Sequence, residues 1–100
     1  MENPIHRLNK VFESRIRLGV MSVLLLHERT GFNDLKKLLD LTDGNLASHL
    51  QVLEQQGYLK VHKGFVGKKV STQYTITSAG ERAFRSHLAA MEHLIRNLDS

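Results

Sequence analysis

The stretch Phe32–Thr77, FNDLKKLLDLTDGNLASHLQVLEQQGYLKVHKGFVGKKVSTQYTIT, decides how this chain reads. Leu35, Leu38 and Leu39 recur at helical spacing and give a first helix its inward face, with Lys36 and Lys37 outward. Asn33 is the predicted N-cap of that helix, and Asp34 complements the dipole in its first turn. Asp40-Leu41-Thr42-Asp43 reads as a tight turn, with Leu41 plugging the gap between two helices. Thr42 then caps a second helix that runs to about Gln56 and stops at Gly57, a residue suited to the left-handed conformation. Leu46, Leu50 and Leu53 point this helix at the core. Its opposite face carries Gly44, Asn45, Ser48, His49, Gln51, Val52 and Gln55. An ordinary solvent face would carry more Lys and Glu.

After Gly57 the period changes from helical to two. Leu59, Val61 and Phe65 fall on one strand face and are expected to enter the core, while Tyr58, Lys60 and His62 fall on the solvated face. Gly67-Lys68-Lys69 is the expected loop tip, and Val70–Thr77 returns as a β-branched and aromatic strand with Val70, Tyr74 and Ile76 prominent. Between Tyr58 and Thr77 there is no Asp or Glu, yet Lys60, Lys63, Lys68 and Lys69 all fall there. Segregation of this kind suits a polyanion partner. The plainer alternative is a lysine-protected strand edge.

The flanks supply further helices. Asn3-Pro4 is a helix start, followed by Ile5, Leu8, Val11 and Phe12 at helical spacing. Ser14 caps a helix whose residues Ile16, Val20, Val23 and Leu24, with His27, line one face. Leu18, Met21, Leu25 and Leu26 make it apolar nearly all round, as a central buried helix would be. Thr30 to Phe32 reads as a very short strand. Ser78 and Glu81 have capping-box spacing, with Thr77 the alternative cap. The helix that follows runs to about Leu98, and Phe84, Leu88, Met91, Ile95 and Leu98 form a heptad-like seam. Such a seam packs either on the domain's own core or on a second copy. The expectation is a shared intersubunit core that also takes in Ile5, Leu8 and Phe12.

One hundred residues with a 41% apolar fraction suit a single folded domain spanning 1–100. The absence of cysteine removes disulfides, thiolate metal sites and cysteine nucleophiles, and fits a cytoplasmic location. No apolar run approaches the roughly 18 residues that span a bilayer. Ser48 and His49 are adjacent on a helix, pointing about 100° apart, so they make no nucleophile–base pair. His87 and His93 do not share a helix face. No enzyme activity, cofactor or metal is expected.

Three stretches resemble the small winged-helix transcriptional regulators of the MarR/ArsR-like kind. Leu46-Ala47-Ser48-His49-Leu50, then Leu53-Glu54 and Gly57-Tyr58-Leu59, is similar to the recognition helix and its exit into the wing. Tyr74-Thr75-Ile76-Thr77-Ser78-Ala79-Gly80 resembles the close of the wing, and Leu8–Phe12 with Arg15–Leu18 resembles the opening of such chains. The resemblance implies a mainly α fold with a small β-hairpin (α+β), a winged helix-turn-helix with a long C-terminal helix. In it, 33–56 is the helix-turn-helix, 58–77 the wing, and 1–13 and 78–99 the pairing helices. It also implies DNA binding as a homodimer. The expected DNA-facing set is Thr42, Gly44, Asn45, Ser48, His49 and Gln51 on the helix, with Lys63, Lys68 and Lys69 on the wing. Asn45 and Gln51 have the amide chemistry that reads adenine, and the lysines suit phosphate. The alternative function is a protein-interaction scaffold, since this fold also serves that use. The shortness of the chain argues against an effector pocket, and the lack of cysteine against metal sensing.

Overall fold

The computed structural model describes residues 4–98, apart from the side chain of Leu98. The chain runs through α1 (Arg15–Leu26), β1 (Thr30–Gly31), α2 (Phe32–Leu39), α3 (Asp43–Gln55), β2 (Leu59–Val66), β3 (Lys69–Ile76) and α4 (Ser78–Leu98). Two short 3-10 turns, Pro4–Arg7 and Lys10–Phe12, precede α1. The sheet is antiparallel in the order β1-β3-β2, with Thr30 opposite Tyr74 and Leu59 opposite Ile76. The mainly helical winged-helix architecture with a long last helix is therefore present.

Local chemistry explains most boundaries. Ser14 Oγ accepts the Arg17 N–H at 3.3 Å and starts α1. Thr42 Oγ1 accepts the Asn45 N–H at 3.3 Å and starts α3, as the sequence reading expects. Gly57, with φ of +76°, ends it and turns the chain into β2. At α4 the alternative cap prevails: Thr77 Oγ1 accepts the Gly80 N–H at 2.9 Å and donates to Gly57 O at 2.6 Å. One threonine thus closes the wing and opens the helix.

The core gathers Val20, Met21 and Leu24 of α1, Leu35 of α2, Leu46, Leu50 and Leu53 of α3, Leu59 and Tyr74 of the hairpin, and Phe84 of α4. Phe12 joins it from the N-terminal arm, its ring 5.3 Å from Phe84 edge-on and 5.4 Å from Tyr58.

Five expectations need correction. The segment from Ile5 to Phe12 is not one helix. Asn9 is extended and its side chain accepts the Val11 N–H at 3.0 Å, so a local bond competes with helix continuation. Asn33 is the second residue of α2, not its cap: pairing of β1 with β3 hands the chain straight from Gly31 into the helix. Leu38 and Leu26, assigned to buried faces, are exposed. Tyr58, assigned to solvent, packs on Phe12 and its hydroxyl accepts from Asn9 Nδ2 at 3.1 Å. Phe65, assigned to the core, is 76% exposed. β2 is eight residues long, about 26 Å of extended chain, and its far half outruns the helices beneath it.

Candidate nucleic-acid interface

α3 presents its polar face as the sequence reading expects. Thr42, Gly44, Asn45, Ser48 and Gln51 are all exposed, and a side chain built at Gly44 would meet nothing within 4 Å. The first turn of α3 is therefore open to close approach by a flat or convex partner. Not every side chain on this face is free to reach outward. Ser48 Oγ donates back to Asn45 O at 3.2 Å. His49 is half-buried, and its Nδ1 accepts from the Arg17 guanidinium at 3.0 Å. An arginine can only donate, so this contact requires neutral His49. Partial burial and then the Arg17 charge lower its pKa from the ordinary value.

Arg17 is a supporting residue that sequence reading missed. Its Nε donates to Val11 O at 2.6 Å while its other end holds His49, so one guanidinium ties the N-terminal arm and α1 to α3. Arg17 is 32 positions from His49 in sequence, and no local pattern signals that pairing. Lys36 of α2 also reaches α3, where its ammonium lies 2.8 Å from the Asp43 carboxylate. That pair neutralises one of the lysines that would otherwise face a polyanion.

The hairpin stands beside this helix. Gly67, at φ of +65°, occupies the first central position of the two-residue connection between Val66 and Lys69, as a type II′ turn requires. Lys63, Lys68 and Lys69 are exposed, and none pairs with an acid among the described residues. A groove joins the two regions. Ala47, Gln51 and Glu54 of α3 form one wall, and Val61, Lys63, Thr72 and Tyr74 of the hairpin form the other. Gln51 and Lys63 thus share one concave surface. Glu54 is the acid within it; burial and then the Glu54 charge raise the Tyr74 pKa.

The pairing residues divide. Phe12 and Phe84 are 2% and 1% exposed, enclosed in the chain's own core, so neither has a surface to offer a second copy. Ile5, Leu88 and Ile95 are exposed, and Leu8 and Met91 half-buried. Leu88 and Ile95 lie about a quarter-turn from the buried line of Phe84, His87 and Ala90. The side chain of Leu98 falls outside the described residues. Among the described residues no cluster of metal-binding side chains forms, and no helix is long and apolar enough to cross a membrane.

Comparison with known proteins agrees with this geometry. Residues 16–95 match the winged helix DNA-binding domain family. A protein of Methanocaldococcus jannaschii is 36% identical over 90 residues, covering 90% of this chain and 98% of its own. A transcriptional regulator homologue from Pyrococcus horikoshii is 34% identical, with a TM-score of 0.83, covering 92% of this chain and 91% of its own. A MarR-family structure from Enterococcus faecalis shares the fold, with a TM-score of 0.74 at 20% identity over 90% of this chain and 80% of its own. A family match across most of the length, on a fold with a capped, exposed α3 beside a lysine-tipped hairpin, makes the protein a member of the winged-helix DNA-binding domain family.

Proposed function

We propose that the protein is a sequence-specific DNA-binding transcriptional regulator that acts as a homodimer. The observation that carries this reading is the shared groove: Ala47 and Gln51, midway along the exposed face of α3, stand across from Lys63 on a hairpin that carries no acid. Lys63, Lys68 and Lys69 pair with no acid among the described residues, while Asp43 at the start of α3 is paired with Lys36 and Glu54 is the acid in the groove. In this arrangement α3 enters the major groove, where Asn45 and Gln51 meet base edges, and Lys63, Lys68 and Lys69 engage phosphates of the backbone or minor groove. Thr42 and Ser48 serve the backbone. His49 positions α3 through Arg17 rather than reading bases. A second copy covers Ile5, Leu8, Leu88, Met91 and Ile95, placing two α3 helices about 34 Å apart on a near-palindromic site.

The test is DNA binding to fragments selected from the native genome, measured across salt concentrations. Lys68→Ala is expected to weaken binding to every sequence and lower the salt slope by about 1. Asn45→Ala is expected to cost roughly 1–3 kcal/mol at particular base pairs only. A uniform loss for Asn45→Ala removes it as a base reader. No binding by the unaltered protein at low or moderate salt transfers the fold to a protein-interaction role.

A further inference from the structure

The tip of the wing is apolar as well as basic. Phe65 lies directly opposite Val70 across the hairpin, and the two are 76% and 68% exposed. They continue the inward face of the hairpin, the line that begins with Leu59–Ile76 and Val61–Tyr74, beyond the last residue of the core. Val66, also exposed, faces the other way opposite Lys69. A cluster of exposed apolar side chains at the end of a two-stranded arm invites association unless a partner covers it. No element of this chain does so among the described residues.

Charge narrows the choice of what covers it. Lys63, Lys68 and Lys69 surround Phe65 and Val70, and the hairpin carries no acid. On the hairpin the patch is rimmed by cations alone, and on the helix side Asp34 of α2 lines the hollow beside Val70, so the excess of positive charge suits a polyanion better than an ordinary protein surface. The patch matches the minor groove of DNA, where phosphates flank a narrow groove and the faces of two stacked bases become an apolar slot once the step between them is opened. Apolar side chains inserted there unstack a base step and kink the duplex. The cost is least at flexible pyrimidine–purine steps.

We propose that Phe65, backed by Val70, is an apolar wedge that enters the minor groove flanking each half-site, and that it selects deformable steps there while the lysines hold the phosphates. This rests on the DNA-binding reading above and adds to it a source of specificity that uses no base-edge hydrogen bond.

The experiment uses the full chain and a fragment recovered by selection from native genomic DNA, with 2-aminopurine placed at the step under the wing. The unaltered protein is expected to raise 2-aminopurine fluorescence by unstacking the step. Phe65→Ala is expected to abolish that rise, weaken binding roughly tenfold, erase the preference for a pyrimidine–purine step, and leave the salt slope unchanged. Phe65→Leu retains most of the signal. Lys68→Ala shows the opposite pattern, a lower salt slope with the fluorescence change preserved. If the unaltered protein binds but Phe65→Ala matches it in affinity and fluorescence, the wedge is wrong and the DNA-binding reading stands. If Phe65→Ala changes the sedimentation behaviour of the free protein and nothing on DNA, the tip is covered by another copy and the wedge is overturned. If the unaltered protein binds no fragment, both readings fail together.

Discussion

The two ends of the hairpin obey the same alternation and meet opposite fates. At its base, Leu59 and Tyr74 are buried against α1, α3 and Phe12, and Thr77 N–H donates to Tyr58 O at 3.1 Å, tying the strands to the start of α4. At its tip, Phe65 and Val70 continue the same face into water. A strand's period says which residues share a face. It does not say whether anything lies against that face. Where the chain itself supplies the cover, the face is core; where it does not, the face is free for a partner.

Substitutions at the two ends separate these roles. The largest effect is expected at Gly80, on the first turn of α4. A Cβ there would lie 2.0 Å from Tyr58 O and under 3 Å from two further backbone atoms, which cannot rotate aside as a side chain would. Gly80→Ala is expected to cost upwards of about 3 kcal/mol by thermal or denaturant unfolding, since α4 must shift off the wing. A near-neutral result would mean that the base of the hairpin is loosely held. Next, Leu59→Ala is expected to cost about 2–5 kcal/mol, whereas Phe65→Ala stays within about 0.5 kcal/mol, although more apolar surface is removed. Equal costs at the two positions would break the distinction between base and tip.

The smallest effect concerns pH. The base is clamped from outside by Phe12, whose ring is 5.3 Å from that of His87, and His87 Nδ1 accepts the Asn9 N–H at 3.0 Å. That bond requires the neutral ring. Burial holds the His87 pKa below the ordinary 6.5, opposed in part by Glu13. The unfolded chain therefore takes up the proton more readily than the folded one. The stabilisation is complete above about 6.5 and is lost as pH falls from there toward the lowered folded value. His87→Gln keeps an acceptor and cannot titrate, so it should make the acid side of the stability profile shallower while leaving the tip untouched. An unchanged profile would place the acid sensitivity at His49 or His62, both of which are also held below the ordinary value.

The helix-turn-helix was legible because its signals are local. Thr42 caps α3 from three residues away, Gly57 stops it, and Leu46, Leu50 and Leu53 fix its inward face within one helix. The neutral outward face of α3 and the acid-free hairpin could be read in the same way. His49 could not: its position on the polar face is local, but the guanidinium that occupies it comes from α1. The N-terminal arm misled for a similar reason. Ile5, Leu8, Val11 and Phe12 have helical spacing, yet Asn9 turns the chain so that Phe12 reaches Phe84 and Tyr58. The seam on α4 was legible as apolar, but not which part of it the chain uses for itself. Phe84 is enclosed by the subunit, whereas Leu88 and Ile95 remain on its surface.

By itself, then, the sequence determined the order of elements from α1 onward, the caps of α1 and α3, the stop at Gly57, the polar outward face of α3 and the lack of acid along the hairpin. Each of these depends on residues a few positions apart, where backbone geometry fixes the distances. Only the tertiary structure decided which apolar faces are closed and which polar groups are already engaged. Those outcomes depend on how far the strands extend past the helices beneath them and on which distant side chain arrives first, and neither distance is set by spacing along the chain.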